Sequence, residues 1–197
     1  MKRFGATAAA AALLVLTACS SDSKSGAAGS SADPAGPSAS PGSELAKGPP
    51  LPSKGPGGSG CAPSGDAATL PDGWWAGQVT NASGLSIDFD LECVFVGAGA
   101  NSAAAQDGRP TPVHNDFYVR NQNPKTFHET FSSRTGPASC VADAATPFAC
   151  TVGDILNVYG NPNGAAKVKG QTVFAFPQLW LHVSGGVPDY AYMQFTR

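Results

Sequence analysis

Between residues 85 and 96 apolar and polar side chains alternate almost without interruption. Leu85, Ile87, Phe89, Leu91, Cys93 and Phe95 share one parity; Ser86, Asp88, Asp90 and Glu92, followed by Val94 and Val96, share the other. Successive side chains of a pleated strand point to opposite faces, so this run predicts one long strand with a buried face. Shorter runs rich in β-branched and aromatic residues predict strands at 74–80, 113–120, 126–132, 155–159, 171–176, 179–183 and 190–196. Gly, Pro and Asn punctuate the gaps, as in Gly-Asn-Pro-Asn-Gly at 160–164 and at Gly185-Gly186. One short helix is expected at 102–107, with Asn101 as its N-cap and Gly108 ending it. Short strands with turns between them predict a mainly β domain, an antiparallel sandwich or small barrel carrying that helix.

The pattern is absent before residue 61. From Ser20 to Gly60, Ser, Gly, Pro and Ala number 11, 9, 7 and 6, with no aromatic and no β-branched residue. Such a segment buries too little apolar surface to offset its ordering entropy, which predicts a disordered tether. A flexible chain of this length has a reach of about 35 Å. Ahead of it stand Lys2 and Arg3, an apolar stretch at 6–16 too short to span a bilayer, and Leu16-Thr17-Ala18-Cys19. This arrangement resembles the signal peptide and lipobox of bacterial lipoproteins. The resemblance implies cleavage before Cys19 and a diacylglycerol thioether on its sulfur. Each buried methylene contributes about 0.8 kcal/mol, so two acyl chains anchor stably where one is marginal. The expected organisation is therefore a signal at 1–18, lipidated Cys19 and tether at 19–60, and a β-rich extracytoplasmic domain at 61–197.

Four cysteines remain beyond the lipobox: Cys61, Cys93, Cys140 and Cys150. An even number in an exported chain points to disulfides. Of three connectivities, Cys140–Cys150 and Cys61–Cys93 are favoured, the first joining a close pair and the second tying the domain's start to the long strand. No C-x-x-C spacing suggests metal.

Charge excludes more than it assigns. The whole chain carries a net charge of -2, with no Lys/Arg cluster, so a nucleic-acid partner is not expected. The G-x-S-x-G elbow is missing, the His128-Glu129 pair lacks the second His of H-E-x-x-H, and there is no P-loop. Three patterns could carry chemistry. Asp88 and Asp90 sit about 7 Å apart on one strand face, and Asp116 lies in an Asn/Asp-rich segment; these are hard-cation ligand types, so Ca²⁺ is the one cofactor considered. The same carboxylates also serve a solvated sheet face and turns. Adjacent Trp74 and Trp75 point to opposite faces of a strand, which presents one of them to a ligand. Trp75 and Arg120 are taken as candidate binding residues, with a sugar ring or a protein as partner.

Four segments together suggest a relationship: Asp-Leu-Glu-Cys-Val-Phe-Val-Gly at 90–97, Ala-Ala-Ala-Gln-Asp-Gly at 103–108, Asn-Asp-Phe-Tyr-Val-Arg-Asn-Gln-Asn-Pro at 115–124 and Leu-Trp-Leu-His-Val-Ser-Gly-Gly-Val at 179–187. They resemble a group of secreted actinobacterial lipoproteins that pair a lipobox and a Ser/Gly/Pro tether with one exported domain. The resemblance implies a location on the outer face of the cell membrane and brings no activity with it. The expected function is a non-catalytic binding or envelope-associated module. The alternatives are a secreted carboxylate-dependent enzyme, with or without Ca²⁺, and an inhibitor or partner-binding domain.

Overall fold

The computed structural model describes residues 48–49, 61, 67–122, 125–143 and 146–195. Its strands are β1 (Gly73–Ser83), β2 (Ser86–Leu91), β3 (Cys93–Val96), β4 (Phe117–Arg120), β5 (Thr126–Thr130), β6 (Pro137–Cys140), β7 (Phe148–Thr151), β8 (Ala165–Val168), β9 (Gln171–Phe174), β10 (Leu179–Ser184) and β11 (Val187–Met193). Two helices interrupt them, α1 (Ala98–Gln106) and α2 (Val152–Gly160). The domain is mainly β. Seven strands form one sheet in the order β5-β2-β1-β10-β11-β6-β7, while β3-β4 and β8-β9 form separate ribbons. All pairings are antiparallel except β11 with β6.

The long strand expected at 85–96 is broken at Glu92. Ile87, Phe89 and Leu91 face the core as the alternation requires. The Glu92 N–H then bonds to Ala76 O at 2.9 Å, and the chain leaves the main sheet to pair with β4. Beyond the break Val94 is buried and Cys93 is only half-buried, so the burial parity is lost. Residues 155–159 are helical, not a strand. Thr151 and Asp154 form a capping box, with the Asp154 N–H donating to Thr151 Oγ1 and the Thr151 N–H donating to Asp154 Oδ2. That cap starts α2, which lays Val152, Ile155, Leu156 and Val158 into the core. Helix α1 begins earlier than expected, at Ala98.

The sheet separates two apolar clusters. On the α2 side lie Phe89, Leu91, Phe127, Leu179, Leu181 and Met193, all essentially inaccessible. Gly77 belongs to this face because nothing larger fits there: a Cβ would lie 2.4 Å from Asp90 O and 2.8 Å from the Phe89 ring. On the other side Trp180, Ala76 and Val94 are buried together, flanked by Trp74, Phe117 and Tyr192. The Trp180 indole N–H donates to Gln194 Oε1, which satisfies the one polar group that its burial takes from water. Disulfides join Cys61 to Cys93 and Cys140 to Cys150. The second of these ties β6 to β7.

Candidate functional site

Trp74 of β1, His182 of β10 and Tyr190 of β11 form a row across three adjacent strands, because His182 pairs in register with both neighbours. Trp74 meets His182 edge-on with ring centroids 5.1 Å apart and Tyr190 with centroids 6.1 Å apart. Between His182 and Val183 the β10–β11 register slips, leaving Asp189 as an extra residue. Such a bulge re-aims a side chain, and here Asp189 Oδ1 comes within 2.6 Å of His182 Nδ1. With a carboxylate on Nδ1, a neutral imidazole keeps its proton there and offers Nε2 as an acceptor. Trp74 and His182 are half-buried and Asp189 is exposed, whereas Tyr190 forms the floor, its hydroxyl held above the ordinary phenol range by burial. The row therefore combines aromatic surface with two held acceptors, His182 Nε2 and the Asp189 carboxylate, a combination suited to a sugar ring or an aromatic-rich peptide.

Trp75 points the other way. It packs against the α2-side core, and its indole N–H donates to Pro71 O at 2.6 Å. Of the adjacent pair, Trp74 is the one on the site face.

The three candidate metal carboxylates are not brought together. Among the described residues no group of three or more His, Cys, Asp or Glu side chains could hold a metal. Asp88 is engaged by His128 Nδ1 at 2.8 Å and by Asn81 Nδ2 at 3.0 Å, a contact permitted by a second bulge between Val79 and Asn81. The His128 hydrogen bond, with help from Asn81, holds the Asp88 carboxyl below its usual range. Asp90 Oδ2 accepts from Asn121 Nδ2 at 2.9 Å, while its Oδ1 is buried without a partner. Asp116 is exposed in a 3-10 turn at the far end of β4 from Asn121, with φ of 50°. Next to Asp90, Glu92 is buried and accepts from Gln178 Nε2 at 3.3 Å. Burial pushes its carboxyl upward, and the charge of Asp90 adds to the effect.

Arg120 clamps α1 onto β4. Its Nε donates to Asp107 Oδ2 at 2.7 Å, its Nη2 donates to Ala103 O at 3.0 Å, and the guanidinium stacks over Phe95. Tyr118 and Gln122 also donate to Asp107. The Arg120 hydrogen bond is the main reason the Asp107 carboxyl titrates low. Arg120 does line an open cavity of about 460 Å³, but with its charge neutralised by Asp107.

Cys19, the signal at 1–18 and the tether, apart from Gly48 and Pro49, lie outside the described residues. Strand alternation in 179–183 already places Trp180 and His182 on one face; the bulge that delivers Asp189 has no signal in the sequence. No protein-family model, no curated protein and no solved structure matches the chain.

Proposed function

We propose that this chain is a lipoprotein anchored through lipidated Cys19 to the outer face of the cell membrane, presenting its β domain on a stalk as a non-catalytic binding module for an envelope ligand. The resemblance of the lipobox and of the four shared segments to secreted actinobacterial lipoproteins supports the anchor and the location. The observation that carries the binding role is the Trp74–His182–Tyr190 row with Asp189 attached. Aromatic ring faces take the apolar C–H faces of a sugar or a side chain, and the acceptors of a held imidazole–carboxylate pair take hydroxyl protons. The test has two parts. Cys19→Ala moves the protein from the membrane fraction to the soluble fraction; unchanged membrane retention contradicts the anchor. Incubation of the protein with purified cell-wall glycan releases no soluble fragments; turnover contradicts the non-catalytic role.

A further inference from the structure

Two arginines of the domain, Arg120 and Arg134, differ in one respect. Arg120 has a carboxylate on its guanidinium; Arg134 has none within salt-bridge distance among the described residues. Arg134 lies between β5 and β6 and is held by three neutral acceptors. Its Nη1 donates to Gly84 O at 2.9 Å, and its Nη2 donates to Gly153 O at 3.2 Å and to Asn157 Oδ1 at 2.6 Å. These come from the β1–β2 turn and from α2, so the fork is immobilised from two sides. The backbone is fixed as well, since the Gly153 N–H donates to Arg134 O at 2.7 Å. An arginine carries five donors. Among the described residues those three bonds leave one Nη1 hydrogen and the Nε–H of this exposed side chain unused, and no carboxylate pairs with its charge.

The guanidinium borders a cavity of about 430 Å³, which Ser83, Asn157 and Asn161 also line. The Asn161 side-chain Oδ1 accepts from the Asn163 N–H at 2.9 Å, so its side-chain Nδ2 remains a donor. A rigid planar cation without a counter-charge, set among hydroxyl and amide groups, matches the bonding pattern of a carboxylate or phosphate whose attached body carries hydroxyls. We propose that this cavity is an anion subsite for an acidic sugar or a phosphate ester. It lies apart from the Trp74 face and does not depend on that face binding anything.

Asn157→Asp supplies the test. It is isosteric, places a carboxylate on the guanidinium at the existing contact, and so fills the charge the ligand would fill. The full-length protein is titrated with inorganic phosphate, with glucuronate and with neutral glucose, following the backbone amide signals of residues 83–84, 134, 157 and 161. Phosphate or glucuronate, but not glucose, shifts these signals in the wild type; which of the two binds more tightly identifies a phosphate ester or an acidic sugar as the ligand. Asn157→Asp and Arg134→Gln each weaken that binding by about tenfold or more, the loss expected for one charge-assisted contact. An unchanged melting temperature for Asn157→Asp shows that the fold is intact. Equal shifts by glucose, no shift by either anion, or undiminished binding to Asn157→Asp overturns the proposal.

Discussion

Gly48 lies flat against the ring of Tyr192. A Cβ at this position would stand 2.7 Å from Cζ of that ring, and the residue has φ of 80°. Sequence reading begins the domain at Cys61, but this contact brings a residue 13 positions earlier onto β11. Both the left-handed backbone and the missing side chain are required there. Gly48→Ala is therefore expected to release the contact, at a cost of about 1–2 kcal/mol from backbone conformation alone. Limited trypsinolysis checks it. In the wild type, cleavage after Lys47 is slower than after Lys24; in Gly48→Ala the two rates converge. Equal rates in the wild type contradict the contact.

Burial holds the Glu92 carboxyl above its ordinary range. The folded state then keeps a proton that the unfolded state releases, so stability falls as pH rises from about 4.3 through the higher folded value. Glu92→Gln removes that loss while its amide oxygen still accepts from Gln178. The variant should melt with the wild type near pH 4, about the carboxylate reference value, and above it near neutral pH. Asp88 and Asp107, whose carboxyls are held low, act in the opposite sense: their stabilisation is lost as pH falls, equally in both proteins. Thermal unfolding across this range decides the matter, and a lower melting temperature for Glu92→Gln at neutral pH contradicts it.

The two disulfides close loops of different kinds. Cys140–Cys150 spans 10 positions between paired strands, whereas Cys61–Cys93 spans 32 and fastens the chain to β3. Replacing either pair by Ser should cost about 3–4 kcal/mol in a chain-entropy account. Chemical denaturation measures this.

Much of this fold is legible in the sequence where one parity is apolar and the other is not. That holds for 85–91, where Ile87, Phe89 and Leu91 are buried; in 126–130 the buried parity carries the charged Glu129, and in 179–183 Leu179, Trp180 and Leu181 are buried on both parities. Both favoured cysteine pairings, among three possible, form. The break at Glu92 is not legible, because Val94, Phe95 and Val96 are apolar on both parities and conceal the change of sheet. Residues 155–159 carry the β-branched Ile155 and Val158 that suggest a strand, yet Thr151-x-x-Asp154 ahead of them is a helix-start signal that outweighs it. The site is less legible than the fold. Alternation shows that Trp74 and Trp75 diverge, but not which one faces the core. The approach of Asp189 to His182 depends on a one-residue bulge, and the three acceptors of Arg134 come from segments up to 50 positions away.

The central claim is that the Trp74 row binds an envelope ligand, and co-sedimentation with insoluble cell-wall glycan tests it most directly. The full-length protein should sediment with the glycan. Trp74→Ala, folded with a melting temperature near that of the wild type, should bind about tenfold more weakly or worse, as expected for loss of an aromatic anchor. Equal retention of the variant and the wild type, or no retention of either, contradicts the account.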